Sequence, residues 1–249
     1  MWFSVDLRRT CFRYHGSMTE INVVANLNSV QQRLRKAERD AGRADGCVAL
    51  LAVSKTKPVS LIRQLAAAGQ RAFGENYAQE AIDKAQQLAD LQLEWHFIGP
   101  IQSNKTRGLA AHMDWVHSID RLKIARRLSE QRPPAQPPLQ VCLQVNVSGE
   151  TNKSGVHPSQ VTELAREVAA LPNLVLRGLM AIPDKASSSR QETGPFDELR
   201  ALLETLRRDW SGSAAPLDTL SMGMSADLEA AVTAGSTLVR VGTDLFGAR

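Results

Sequence analysis

The chain has little cysteine, few aromatic residues and no long apolar run. Cys11, Cys47 and Cys142 are odd in number and far apart. That excludes a disulfide framework and a cysteine-based metal cluster, and predicts free thiols in a reducing cytoplasm. Aromatic residues make up 5% of the chain, and no basic stripe is interleaved with them. Nucleic acid is therefore not expected as a partner, although the pI is near 9.1. No apolar stretch approaches the ~20 residues that cross a bilayer. No apolar core of about 7–15 residues marks a signal peptide. No membrane association is expected, and the location read from these absences is cytoplasmic. The five histidines show neither HExxH nor facial-triad spacing, so no metal site is expected. Net charge is +4, and Arg8, Arg9 and Arg13 against Asp6 place half of it ahead of Met18.

What is present fits one domain. The 249 residues match the ~250 of a single α/β barrel. Met1 to Ser17 has no clear period and is expected to be a disordered or loosely packed extension, with the natural start at Met18. The domain is then 18–249. Ile21, Val24, Ala25, Leu27, Val30 and Leu34 have helical spacing, ending near Gly42. Strand signals follow at 48–54, 71–73, 95–98, 114–117, 139–147, 174–180, 217–220 and 238–241, with helical patterns between them. Arg132 to Pro138 is proline-rich and short enough to be a rigid loop. Alternating strand and helix signals predict a parallel (β/α)8 TIM barrel, with an open doubly wound sheet as the alternative.

Polar clusters fall where these strands end. Lys55 closes the run Leu50-Leu51-Ala52-Val53-Ser54, with Pro58 opening a helix behind it. A barrel does its chemistry at that end of its strands, and an amine there can form a Schiff base. Gly74-Glu75-Asn76-Tyr77 closes strand two. Strand seven exits into Ser221 to Ser225, and strand eight into Gly242-Thr243. Barrels often bind phosphate with these last two loops. Ser225 is placed to cap the following helix, and Gly242 lets the backbone approach a ligand closely. Ordinary capping and a tight turn explain the same residues. Arg240 on strand eight is either half of a structural ion pair or the partner of a ligand atom. A lysine, a phosphate cup and an arginine that can face a pyridine nitrogen describe a pocket for pyridoxal 5'-phosphate (PLP). His96 reads as a satisfied core histidine rather than a base, and Tyr77 as packing or stacking. Lys153, in a small-residue loop after strand five, is a candidate second amine.

The blocks VSKTKP, FGENYAQE, WHFIGPIQSNK, NKSG, GLMAIP, SMGMSADLEAA and VRVGTDLFGAR resemble, in order, the pyridoxal phosphate homeostasis protein family. The resemblance runs from about residue 20 to the C-terminus. It implies a fold like the N-terminal domain of alanine racemase, with PLP held as a Schiff base on Lys55. The implied cofactor contacts are Lys55, Asn76, Ser225, Arg240, Gly242 and Thr243. A monomeric, non-enzymatic protein that buffers PLP is expected, with PLP-dependent apo-enzymes as candidate recipients. Only Thr243 to Arg249 follow strand eight, so a racemase-type second domain is not expected. Two enzyme readings remain open: a weak racemase using Tyr77 or His96, and a phosphosugar-type barrel in which Lys55 attacks the substrate itself.

Overall fold

Asn22 sets the entry to the fold. Its Oδ1 accepts the Ala25 N–H at 3.0 Å and so caps helix α1 (Val23–Asp40). Val23, Leu27, Val30 and Leu34 lie one turn apart and are all buried. The computed structural model describes residues 21–148, 154–183, 190, 192–210 and 215–247. The expectations for Met1 to Ser17 and for Lys153 lie outside the described residues.

Eight strands follow: β1 (Ala49–Val53), β2 (Ala72–Glu75), β3 (Glu94–Phe97), β4 (Trp115–Ile119), β5 (Leu139–Gln144), β6 (Leu174–Met180), β7 (Thr219–Ser221) and β8 (Leu238–Val241). They pair in chain order as a closed barrel. Closure is the parallel register of β1 on β8, from Ala49↔Leu238 to Ala52↔Val241, and it rules out the open sheet. The helices that follow them in turn are α2 (Val59–Ala67), α3 (Ala78–Gln87), α4 (Thr106–His112), α5 (Leu122–Gln131), α6 (Val161–Ala169), α7 (Gly194–Asp209), α8 (Leu228–Thr233) and α9 (Thr243–Phe246). Most of them bury apolar residues against the sheet, as with Ile124, Ala125 and Leu128 of α5.

Departures from the sequence pattern have local causes. β5 stops at Gln144 rather than Val147, because Val145 bridges Val156 and Asn146 donates to the Val156 carbonyl at 3.0 Å. β4 continues past His117 to Ile119, so Ser118 belongs to the strand and not its exit. Ser225 does not cap a helix. α8 begins at Leu228 with Asp227 in the N-cap position, and the Asp227 carboxylate accepts the Met224 N–H at 2.6 Å. Cys47 is exposed and Cys142 buried, both as free thiols, while Cys11 lies outside the described residues. Burial pushes the Cys142 thiol up to about 12, so it is inert at neutral pH. Among the described residues no helix is long and apolar enough to cross a membrane, and no His/Cys/Asp/Glu group could hold a metal.

Candidate cofactor site at the strand C-termini

A cavity of about 420 Å³ opens where β1, β2, β7 and β8 end. That lies within the ~300–1,000 Å³ of small-molecule sites. Lys55, Asn76, Ser225, Arg240, Gly242 and Thr243 all line it. Six residues from distant parts of the chain therefore share one space. Val53, Ile98, Ile182 and Met224 supply an apolar wall that the sequence argument did not identify.

Lys55 sits in the turn after β1, and the backbone on both sides of it is clamped. Ser54 Oγ donates to Glu75 Oε1 at 2.6 Å, and Lys84 Nζ donates to the Ser54 carbonyl at 2.7 Å. On the other side the Thr56 N–H donates to Glu80 Oε1 at 2.6 Å. Thr56 has φ 64, a strained value for a β-branched residue, and this bond helps hold it there. Lys84 joins the two halves by contacting Glu75 at 2.8 Å and Glu80 at 2.7 Å. Burial pushes the Glu75 carboxyl above its ordinary pKa, opposed by Lys84 and the Ser54 hydroxyl. Lys57 is set apart from the cavity: its Nζ donates to the carbonyls of Phe246 and Gly247 at 3.0 and 3.4 Å.

The other side of the cavity suits an anion. The amides of Ser225, Ala226, Gly242 and Thr243 have no acceptor among the described residues. The Ser225 and Thr243 hydroxyls lie in the same two loops, next to these amides. A Cβ on Gly242 would come 3.3 Å from the Val53 carbonyl, so a side chain there would crowd the end of β1. Arg33, reaching up from α1, fixes both loops. It donates to the Ser225 carbonyl at 3.0 Å and to Asp244 Oδ2 at 2.7 Å, and pairs with both oxygens of Glu229 at 2.6 Å. The Arg33 hydrogen bonds hold the Glu229 carboxyl below the usual range.

Arg240 closes the inner side of the cavity. It is buried, and its hydrogen bonds go to neutral oxygens: the Ser221 carbonyl, Ser221 Oγ at 2.8 Å and the Ala181 carbonyl at 2.9 Å. The ion-pair alternative is thus not what these bonds describe. Burial lowers its pKa to about 10, which still leaves a cation at neutral pH. His96 is buried with both ring nitrogens bonded, as expected of a core histidine. Tyr77 is half exposed at the start of α3 and does not line the cavity.

The sequence shows Glu75 only as part of the polar exit of strand two, and does not point to Lys84 or Arg33. Glu80 and Lys84 stand four apart on a helix, a legible pair. Nothing local signals that the pair grips the Lys55 turn. Arg33 meets partners nearly two hundred residues away and leaves no trace in the sequence.

Known proteins extend this geometry. The family described as alanine racemase, N-terminal domain, matches residues 25–249. A pyridoxal phosphate homeostasis protein of Pseudomonas aeruginosa is 58% identical over 227 residues, 91% of this chain and 96% of its own. One from Escherichia coli is 49% identical over 231 residues, covering 92% and 97%. The structure of PipY from Synechococcus elongatus with PLP bound superposes with a TM-score of 0.77 at 35% identity, covering 90% of this chain and all of PipY. Alanine racemase from Corynebacterium glutamicum shares the fold, with a TM-score of 0.64 at 19% identity over 90% of this chain and 61% of its own. A closed barrel of this kind, matched across nearly its whole length by such relatives, belongs to the pyridoxal phosphate homeostasis protein family.

Proposed function

We propose that this protein binds PLP as a Schiff base on Lys55 and serves PLP homeostasis by buffering the cofactor and delivering it, not by turning over amino acids. The observation that carries this reading is the convergence of Lys55, Asn76, Ser225, Arg240, Gly242 and Thr243 on one cavity. Each matches one part of PLP. The Lys55 amine would hold the aldehyde carbon through a C=N bond, with the aldehyde oxygen leaving as water. The amides and hydroxyls of the Ser225 and Gly242–Thr243 loops suit the phosphate. Arg240 would meet the ring nitrogen, and Asn76 would border the ring.

Two features favour holding over turnover. Bound PLP supplies an electron sink, strongest when its ring nitrogen is protonated. The Arg240 guanidinium would donate to that nitrogen and leave it unprotonated. Among the described residues lining the cavity, Lys55 and Arg240 are the titratable ones, so racemisation would lack a second acid–base group.

The test begins with the absorption spectrum of purified protein with PLP, before and after borohydride, followed by peptide mapping. A visible band that reduction fixes on Lys55 is expected. A band that persists in Lys55→Ala overturns the assignment. PLP-loaded protein incubated with D- and L-amino acids should show no turnover. A kcat of about 1 s⁻¹ or more, lost in Lys55→Ala, would establish the racemase reading instead. Delivery is measured by reactivating a PLP-dependent apo-enzyme in the presence of a scavenger of free PLP.

A further inference from the structure

Barrel interiors are normally filled by layers of branched apolar side chains. Here part of the lumen is polar. His96 of β3, His117 of β4, Ser221 of β7 and Arg240 of β8 are all buried and in mutual contact. β4 and β7 are not neighbours in the barrel, yet His117 Nδ1 lies 2.8 Å from Ser221 Oγ. Only the lumen can bring these two residues together. The contacts continue in both directions. Arg240 Nη1 reaches Ser221 Oγ at 2.8 Å, His117 Nε2 lies 2.9 Å from His96 Nδ1, and His96 Nε2 bonds the Glu94 carboxylate. The line starts at the cofactor cavity. It ends at Glu94, the first residue of β3, whose side chain is 49% exposed. Glu94 borders a second cavity, of about 440 Å³, at the opposite end of the barrel.

The ends of this line fix its direction. A guanidinium can only donate, and a carboxylate can only accept. With one proton on each imidazole, the pattern has a single solution. Glu94 accepts from His96 Nε2–H, and His96 Nδ1 accepts from His117 Nε2–H. His117 Nδ1 accepts from the Ser221 hydroxyl, and Ser221 Oγ accepts from Arg240. Burial, His96 and Arg240 together push the His117 pKa well below its ordinary value, consistent with a neutral ring there. The hydrogen bond from His96 holds the Glu94 carboxyl low, with Arg177 adding to the effect, consistent with a carboxylate at the far end. Trp115 stacks on His96 at 5.3 Å with an interplanar angle of 8°, and the Arg177 guanidinium covers Trp115 at 4.7 Å. The His96 ring is therefore held in its plane. The other charged or titratable groups near the line are Asp218, which pairs with Arg177, and Cys142 and Asp227, which act on Arg240.

We infer that Ser221, His117, His96 and Glu94 are positioning residues for Arg240: a one-way hydrogen-bond relay through the lumen that holds the guanidinium and turns its remaining donors toward the cofactor. The inference rests on the PLP reading above. Nη1 is used by the two oxygens of Ser221, and one Nη2–H by the Ala181 carbonyl. The Nε–H and the other Nη2–H remain for a ligand in the cavity that Arg240 lines. A buried polar line of this length is not needed to close a barrel. Apolar side chains would fill the same space without desolvating imidazoles. Its bonds lead to one place, the group facing the ring nitrogen.

The experiment compares wild type with Ser221→Ala, Ser221→Thr and Glu94→Gln. Histidine ¹⁵N NMR of the PLP-free protein should show both His96 and His117 as Nε2–H tautomers. In Ser221→Ala the His117 Nδ1 resonance should lose its hydrogen-bonded shift. The same variant should bind PLP about tenfold more weakly and move the visible band, with Ser221→Thr restoring both. Glu94→Gln keeps an acceptor for His96 but removes the charge. It lies far from the cavity, and should shift the band while leaving the melting temperature close to wild type. Nδ1–H tautomers would overturn the relay. So would affinities within about twofold of wild type with unchanged spectra in both Ser221→Ala and Glu94→Gln. Wild type that fails to bind PLP would refute the proposed function, while the NMR result would still decide the direction of the line.

Discussion

Lys84→Met tests the clamp behind Lys55. Glu75 is fully buried, and its Oε2 has no hydrogen-bond partner. Its charge is met by Lys84 at 2.8 Å, and its other support is the Ser54 hydroxyl. Methionine fills a similar volume but removes the cation, leaving a buried carboxylate uncompensated. Breaking a buried pair in this way costs about 3–5 kcal/mol. The second contact, to the more exposed Glu80, adds less than about 1 kcal/mol. For a domain of this size the melting temperature should fall by about 10 °C. The loss should depend on pH. Burial raises the Glu75 pKa above its unfolded value even with Lys84 present. A group raised in this way favours the fold most below its unfolded pKa, and that contribution is lost as pH rises through the folded pKa. Without Lys84 the folded pKa rises further. The deficit of Lys84→Met should therefore be smallest in acid and grow as pH rises past the wild-type folded pKa of Glu75, above the ordinary carboxylate range, toward neutral pH. Adding Glu75→Gln removes the charge and should recover most of the stability at neutral pH. Freeing the Ser54 carbonyl and the Glu80 carboxylate also loosens the Lys55 turn, so PLP binding should weaken in both variants. Chemical denaturation across a pH series and PLP titration measure these effects. A deficit below about 1 kcal/mol that does not change with pH would refute the reasoning.

Lys55→Ala should abolish the borohydride-fixed PLP adduct without lowering the melting temperature, because Lys55 lies in a turn and not in the apolar core. Lys57→Ala should keep the adduct, since its amine is held by the carbonyls of Phe246 and Gly247; adduct mass and position after proteolysis decide both. Arg33→Gln releases the Ser225 carbonyl and Asp244 and should weaken PLP binding about tenfold, while binding of pyridoxal, which has no phosphate, stays within about twofold; parallel titrations separate the two.

How far the sequence revealed the structure depends on the range of each interaction. β6 and β8 fall where their apolar runs place them, at Leu174–Met180 and Leu238–Val241. Both runs are bounded by clear turn residues, so the local pattern was sufficient. β5 was read too long because Val145 and Val147 continue the alternation, while the ladder is ended by a contact with Val156, which the period cannot show. Lys55, Asn76, Ser225, Gly242 and Thr243 share one cavity because a parallel barrel brings all its strand exits to one side, and Arg240 reaches it from within β8. Their supports were not legible in the sequence. Arg33, Lys84 and the line from Ser221 to Glu94 act across the fold, between residues with no spacing rule in common. His96 shows the limit well. Its burial was predictable from its strand, but its bond to His117 depends on how β3 and β4 face the lumen.

These supports share a design with a bearing on function. Each polar part of the cavity is held by charged groups lying behind it. Lys84, Glu75 and Glu80 hold the Lys55 turn, Arg33 holds the two anion loops, and the lumen line holds Arg240. A site fixed in this way loses little conformational freedom when it fills, so binding energy is not spent on ordering loops. An enzyme needs more than a fixed ground-state site. It needs groups that act only as bonds change, and water exclusion that strengthens them. Here the lateral wall is apolar and Ile182, which lines it, is 42% exposed. Such a wall would hold an aromatic ring at its edge while leaving it in reach of solvent, and hydrolysis of the proposed Schiff base would require water at that carbon. On the proposed PLP reading, the same arrangement would limit turnover and allow release, as a carrier of a reactive aldehyde requires.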